Sequence, residues 1–281
     1  MEGGNAIFFH PARIMSVWLP LLISAGLLSA TFIATWRLSL RHDNFSFVDV
    51  AWALSFAPVA LLYASVGEGW IWRRWAVALL IAGWSLRLGI HLWRRVSAHH
   101  PEEDPRYRVL RDRWNGDTLG MNFLGFFLAQ ALLVWLLMLP LALVVANAAE
   151  TFQPLEMAGL FLWFVGLGGE AWADHQLTRF KKSHASDGNA LCREGLWRYS
   201  RHPNYFFQSL LWWGLFLMAL PVPWGWTAIL APLAMLFFLL KITGIPLTEE
   251  LSVEKRGDAY REYQRTTSAF VPLPPRKPTI A

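Results

Sequence analysis

Arg198, Arg201 and His202 lie within one short run, Glu194-Gly-Leu-Trp-Arg-Tyr-Ser-Arg-His-Pro-Asn-Tyr205. Guanidinium groups hold anions by paired, charge-assisted hydrogen bonds. Pro203 suits the first turn of a helix, so Asn204 and Tyr205 fall at a helix start. A helix N-terminus beside cationic side chains is an anion site. Upstream, Asp174-His-Gln-Leu-Thr-Arg-Phe-Lys-Lys182 adds Lys181, and Arg193 follows. Asp174 can accept hydrogen bonds from a ribose or an amide. The reading is that this junction grips the phosphates of a soluble cofactor. Each cation, taken singly, equally suits the excess of basic residues that marks cytoplasmic loops.

A third segment faces the same side. Glu249 and Glu250 follow a long apolar run, and Tyr260 and Tyr263 come next. They can close over an adenine or ribose, or form an amphipathic helix on the headgroups. No Gly-x-Gly-x-x-Gly follows a strand, so a nucleotide here must be held by loops and helix ends rather than a Rossmann fold.

A second set of chemically able residues lies at membrane depth, where ionisable groups are costly and usually functional. Asp49 opens the second apolar run. Arg87 and His91 are four residues apart in the third, so they share one helix face. Converging in one cavity, the three supply an acid or a carbonyl-polarising group, and they form the candidate catalytic set. Arg87 can instead stitch the bundle by pairing with Asp49 or Glu170, and His91 can snorkel to the interface.

The elements that must position these groups are membrane helices. The chain has 281 residues, 55% hydrophobic and 16% charged, with 17 Trp and 19 Phe, which excludes an ordinary soluble domain. Spans of about 20 apolar residues are expected near Met15–Trp36, Phe45–Val66, Trp72–Trp93, Met121–Val145, Leu155–Asp174, Tyr205–Leu220 and Trp224–Ile245. The first reads as a retained helix, not a cleaved signal. A tight hairpin is expected at Pro221-Val-Pro223. Basic residues concentrate in three segments: Arg94–Arg113, Arg179–Arg201, and the tail from Lys255 to Lys277. Placing these in the cytoplasm puts the N-terminus outside and the C-terminus inside, with Arg73 and Arg74 as a mild violation. The expected fold is an all-α integral membrane bundle of about seven helices with a cytoplasmic cofactor-binding cap. It reads as a single domain over 1–281, with a core at about 121–275. The single cysteine, Cys192, excludes an internal disulfide. The net charge of +5 fits loops on an anionic leaflet better than nucleic acid.

Gly195-Leu-Trp-Arg-Tyr-Ser-Arg-His-Pro-Asn-Tyr205 with Trp212-Trp213-Gly214 resembles the steroid 5-alpha-reductase superfamily, in its bacterial branch of uncharacterised membrane proteins. Val48-Asp-Val-Ala-Trp52, Trp84-Ser-Leu-Arg-Leu88, Glu103-Asp-Pro-Arg-Tyr107 and Glu170-Ala-Trp-Ala-Asp-His-Gln176 match as well, as does the tail from Gly244 to Pro272. The resemblance implies a reductase of a bacterial inner membrane that uses NADPH on an enone-type double bond of a lipophilic substrate, steroid-like or isoprenoid. It implies cofactor contacts at Asp174, Lys181, Arg193, Tyr199, Arg201, His202, Asn204, Glu249 and Tyr263. Its other partners would be membrane lipids. The chain departs from the superfamily at Val48, where a Gln is usual, and lacks a Tyr on helix three. That leaves His91, a protonated Asp49 or a water held by Arg87 as the proton donor.

The Arg-His-Pro-x-Tyr element and the acidic–aromatic tail also occur in isoprenylcysteine carboxyl and phospholipid methyltransferases, where the junction binds S-adenosylmethionine. The density of cations from Lys181 to Arg201 favours a phosphate-rich cofactor.

Overall fold

A computed structural model describes residues 11–114, 116 and 119–276, with side chains from residue 18 onward within these ranges. Lys277, counted above among the tail cations, lies outside them. Among the described residues the regular secondary structure is all helical, with one isolated parallel bridge, Ser200–Ser268, and no strand. The helices are α1 (Pro11–Arg41), α2 (Phe47–Val66), α3 (Ile71–His99), α4 (Pro105–Arg113), α5 (Leu119–Leu137), α6 (Leu139–Val144), α7 (Pro154–Ser183), α8 (Pro203–Ala219), α9 (Leu230–Phe237), α10 (Ile245–Arg256) and α11 (Asp258–Thr266).

A helix stands at each of the seven expected spans, yet among the described residues five stretches are long and apolar enough to cross a membrane. These are Trp18–Arg41, Phe47–Val66, Ile71–His99, Leu119–Val144 and Gly225–Arg256. The protein is thus multi-pass by the length and composition of its helices. The 17 residues of α8 rise about 25 Å, short of a hydrocarbon core of about 30 Å. In α7 the apolar run is diluted by Gly159, Gly166, Gly168, Gly169, Glu170 and Asp174.

The chain divides into two compact units. The first comprises Met1–Glu156 and Met218–Ala231. Its helices join by side-chain hydrogen bonds and ring stacking, the forces left when lipid removes the hydrophobic drive. Ser85 donates to the Ala53 carbonyl at 2.5 Å and accepts the Ala57 N–H at 3.1 Å, tying α3 to α2. The Trp36 and Trp135 indoles donate to the Gly120 and Leu21 carbonyls, both at 2.9 Å, tying α5 to α1. Phe45 stacks on Phe123 with ring centroids 3.6 Å apart. The turn at Pro221–Pro223 is as tight as expected: the Val222 N–H reaches the Ala219 carbonyl at 3.0 Å.

Arg73 is fully buried and pairs with the fully buried Glu156 at 2.7 Å. Its other donors reach the carbonyls of Asn147, Ala149 and Thr151. The Arg73 charge is thus spent inside the protein, holding the loop before α7.

The second unit comprises Met157–Leu217 and Pro232–Ala281. A Cβ on Gly214 would sit 2.7 Å from the Gly159 carbonyl, so α7 and α8 touch backbone to backbone. A π-helical turn at Phe238–Ile242 follows α9 and ends the apolar run before α10.

Candidate functional site

The expected cofactor-binding residues all fall in the second unit, on α7, the stretch 193–205 that leads through the Gly195–Arg198 turn into α8, and α10–α11. Gly195 adopts φ +56°, and a Cβ there would run into the Gln176 side chain. Only glycine turns the chain there without strain. Gln176 then accepts the Leu196 N–H at 2.9 Å, and the Trp197 indole donates to the Ala173 carbonyl at 3.0 Å. Both bonds fix the junction to the last turns of α7.

Arg201 proves to be an internal clamp. It is 8% exposed, and its Nε donates to Glu249 at 2.6 Å. Its Nη1 donates to the Gln264 carbonyl at 3.0 Å and the Thr267 carbonyl at 2.5 Å. Glu249 is engaged on both oxygens, since Gln264 donates to Oε2 at 2.8 Å and His202 Nε2 lies 3.3 Å from Oε1. The expectation that Arg201 and Glu249 stand open to phosphate and ribose meets a buried pair: opposite charges carried by α10 and the α8 junction neutralise each other. Burial lowers the His202 pKa below its usual value, against the opposing hydrogen bond to Glu249. The His202 ring stacks on Tyr205, with centroids 5.3 Å apart and planes 7° from parallel.

Tyr263 is likewise turned inward. Its hydroxyl donates to the Trp197 carbonyl, and burial raises its pKa. Tyr260 is buried, which lifts its pKa to about 12. Arg193 lies 5.2 Å over the Tyr263 ring and donates to the Ala259 carbonyl at 2.5 Å.

Other members face solvent. Arg198, Tyr199, Lys181 and Glu250 are exposed. Asn204, in the first turn of α8, donates from Nδ2 to Asp174 at 3.3 Å. Its Oδ1 is buried and has no hydrogen-bond partner among the described residues. Such an orphaned acceptor calls for an explanation, and a ligand N–H or O–H supplies one.

The expected catalytic residues fall in the first unit. Arg87 and His91 sit half-buried on α3, one turn apart. Asp49, in the first turn of α2, is the hub of a polar cluster. Arg95 donates to its Oδ2 at 2.9 Å, Arg106 to the same oxygen at 2.6 Å, and the Tyr107 hydroxyl to Oδ1 at 2.6 Å. Asp104 caps α4 through the Arg106 N–H at 3.0 Å and also pairs with both arginines. Burial would raise the Asp104 pKa, but Arg106 and Arg95 outweigh it and hold the carboxyl well below the usual range. Burial, with the Asp49 charge, pushes the Tyr107 pKa well up. Tyr107 was not among the expected site residues. The signal for it was Asp104-Pro-Arg-Tyr107, where a capping Asp and a Pro start a helix that places its third residue inward.

Residues 35–267 match the family described as "Protein of unknown function (DUF1295)". A protein of Schizosaccharomyces pombe, itself described as uncharacterized, is 26% identical over 269 residues, covering 84% of this chain and 75% of its own. No solved structure matches the chain.

Proposed function

This chain belongs to the DUF1295 family, and for it we propose the role of a membrane-embedded, NADPH-dependent reductase of an enone-type double bond in a lipophilic substrate. The observation that carries this reading is Asn204: a buried Oδ1 with no hydrogen-bond partner among the described residues, at a helix start, beside Asp174 and the stacked pair His202–Tyr205. An acceptor there suits a carboxamide or hydroxyl donor. The exposed Arg193, Arg198 and Lys181 suit phosphates. The motifs of the junction, α7 and the tail resemble the steroid 5-alpha-reductase superfamily, which agrees with both.

Asn204, Asp174, Arg193, Arg198 and Lys181 would hold the cofactor, which supplies a hydride when bound. Arg201, Glu249 and Tyr263 act one step back, joining the three segments that carry those contacts. In the first unit, Asp49 orients the Tyr107 hydroxyl and keeps its proton in place. Tyr107 joins Arg87 and His91 as the groups assigned to the substrate carbonyl and to the proton the reduced product takes up. In this reading α7 and α8 are the fifth and sixth of seven crossings, and the basic segments are cytoplasmic in a bacterial inner-membrane protein.

Thermal unfolding of the detergent-purified protein with each cofactor tests the reading. A ligand at 100 times its Kd stabilises by about 2.7 kcal/mol. NADPH should raise the midpoint for wild type and not for Asn204→Ala combined with Arg198→Ala. Stabilisation by S-adenosylmethionine and not by NADPH would sink the reductase and favour methyl transfer.

A further inference from the structure

We propose that Ser200 is a positioning residue through which the C-terminal segment 267–276 sets the geometry of the cofactor junction. This rests on the reading of the junction as a cofactor site. Ser200 is fully buried. Its hydroxyl donates to the Phe270 carbonyl at 2.8 Å and accepts the His202 N–H at 3.1 Å. One hydroxyl therefore links the tail to the residue that leads into α8. The first N–H groups of a helix have no partner within it, so such a link fixes how the helix begins.

The residues on either side repeat the connection. The Arg201 N–H donates to the Ser268 carbonyl at 2.8 Å, and the Leu273 N–H donates to the Tyr199 carbonyl at 3.0 Å. The Phe270 ring meets Phe206 edge to face at 5.6 Å. The Thr267 carbonyl takes the Arg201 guanidinium at 2.5 Å. Four consecutive junction residues, Tyr199 to His202, are thus held by the tail or by the serine bound to it.

The composition of the tail fits this task. Leu273 lies between Pro272 and Pro274, and Pro275 follows. Proline fixes φ and offers no N–H, so the segment is stiff and loses little freedom on docking. Leu273 brings the one backbone donor of the Pro272–Pro275 run, and that donor is used. The Leu273 side chain is 51% exposed, so its contribution lies in the amide. The tail touches the backbone that carries Asn204 and the neighbouring cations. A docked tail and an occupied junction therefore favour each other, and the coupling is reciprocal.

The test compares full-length Leu273→Pro, Leu273→Ala and Ser200→Ala in detergent. Leu273→Pro deletes a single amide hydrogen in a segment already rich in proline. Leu273→Ala keeps that hydrogen and serves as its control. Amide exchange over residues 199–206 is measured with and without NADPH. Losing one net hydrogen bond corresponds to about a tenfold change in the local opening equilibrium. Exchange should be about tenfold faster in Leu273→Pro and Ser200→Ala, and near wild type in Leu273→Ala. The NADPH Kd should rise about tenfold in the same two variants only. Equal exchange in Leu273→Pro and Leu273→Ala overturns the proposal, as does an unchanged Kd in Leu273→Pro. If wild type itself shows no response to NADPH, the reductase reading falls, and the exchange comparison still decides whether the tail orders the junction.

Discussion

Tyr107 donates a 2.6 Å hydrogen bond to Asp49 across 58 positions of sequence. With Arg95 and Arg106 on the other carboxylate oxygen, this makes Asp49 a neutralised hub rather than an isolated charge in lipid. A hydrogen bond to a charged group contributes about 1.5–3 kcal/mol. Tyr107→Phe should lower stability by that order, read as a lower unfolding midpoint. If Tyr107 also serves the substrate, turnover should fall by about 10²–10⁴ while stabilisation by NADPH persists. Lower stability with unchanged turnover would confine Tyr107 to holding α4 against α2.

Asp104 gives the acid limb of the stability profile. Its carboxyl pKa is held low in the native state by Arg106 and Arg95, against the effect of burial. The unfolded chain therefore takes up this proton first as the pH falls. The stabilising contribution is complete above the unfolded value of about 3.9 and is lost as the pH drops towards the lowered native value. Asp104→Asn should flatten the stability–pH curve below pH of about 4, measured by denaturant unfolding.

His202 acts in the same direction at higher pH. Burial lowers its native pKa, so below the unfolded value of about 6.5 the unfolded chain binds a proton that the native chain resists. Stability should decline as pH falls from there through the native value. His202→Gln should remove that part of the slope.

The Arg201–Glu249 pair calls for a double-mutant cycle. The side chains are 8% and 15% exposed. Removing one partner of a buried pair leaves an uncompensated charge and costs about 3–5 kcal/mol. Glu249→Ala should therefore destabilise strongly, and Arg201→Met with Glu249→Leu should cost less than the sum of the single changes. Additive losses would mean that the two side chains act separately.

Arg73 and Glu156 make the corresponding prediction in the first unit, with both side chains fully buried. Arg73→Lys should destabilise despite keeping the charge, because a lysine cannot reach Glu156 and three loop carbonyls at once. Response to NADPH should be unaffected. A Lys variant as stable as wild type would show that the charge alone holds the loop.

Helices were legible in the sequence wherever the signal was local. Apolar runs placed α1, α2 and α3 close to their observed bounds, while the expected span Met121–Val145 takes in both α5, which ends at Leu137, and α6. Pro203 marked the start of α8, and Asp104-Pro105 that of α4. The segments of the candidate site were legible too, because Arg201, Asn204, Glu249 and Tyr263 sit in short motifs. Their roles were not. Arg201 and Arg198 look alike in sequence, three residues apart, yet one is buried against Glu249 and the other is exposed. The crossing count was only partly legible, since apolarity alone does not weigh the glycines of α7 or the shortness of α8.

The sequence by itself determined where helices form, because helical hydrogen bonds and apolar periodicity are set within a few residues. The tertiary structure alone decided which charges meet. Asp49 finds Arg95, Arg106 and Tyr107, and Arg201 finds Glu249, each across 46 to 58 positions. Arg73 finds Glu156 across 83. A carboxylate near the membrane pairs with whatever cation the packed helices bring within about 4 Å, and no local pattern encodes that packing.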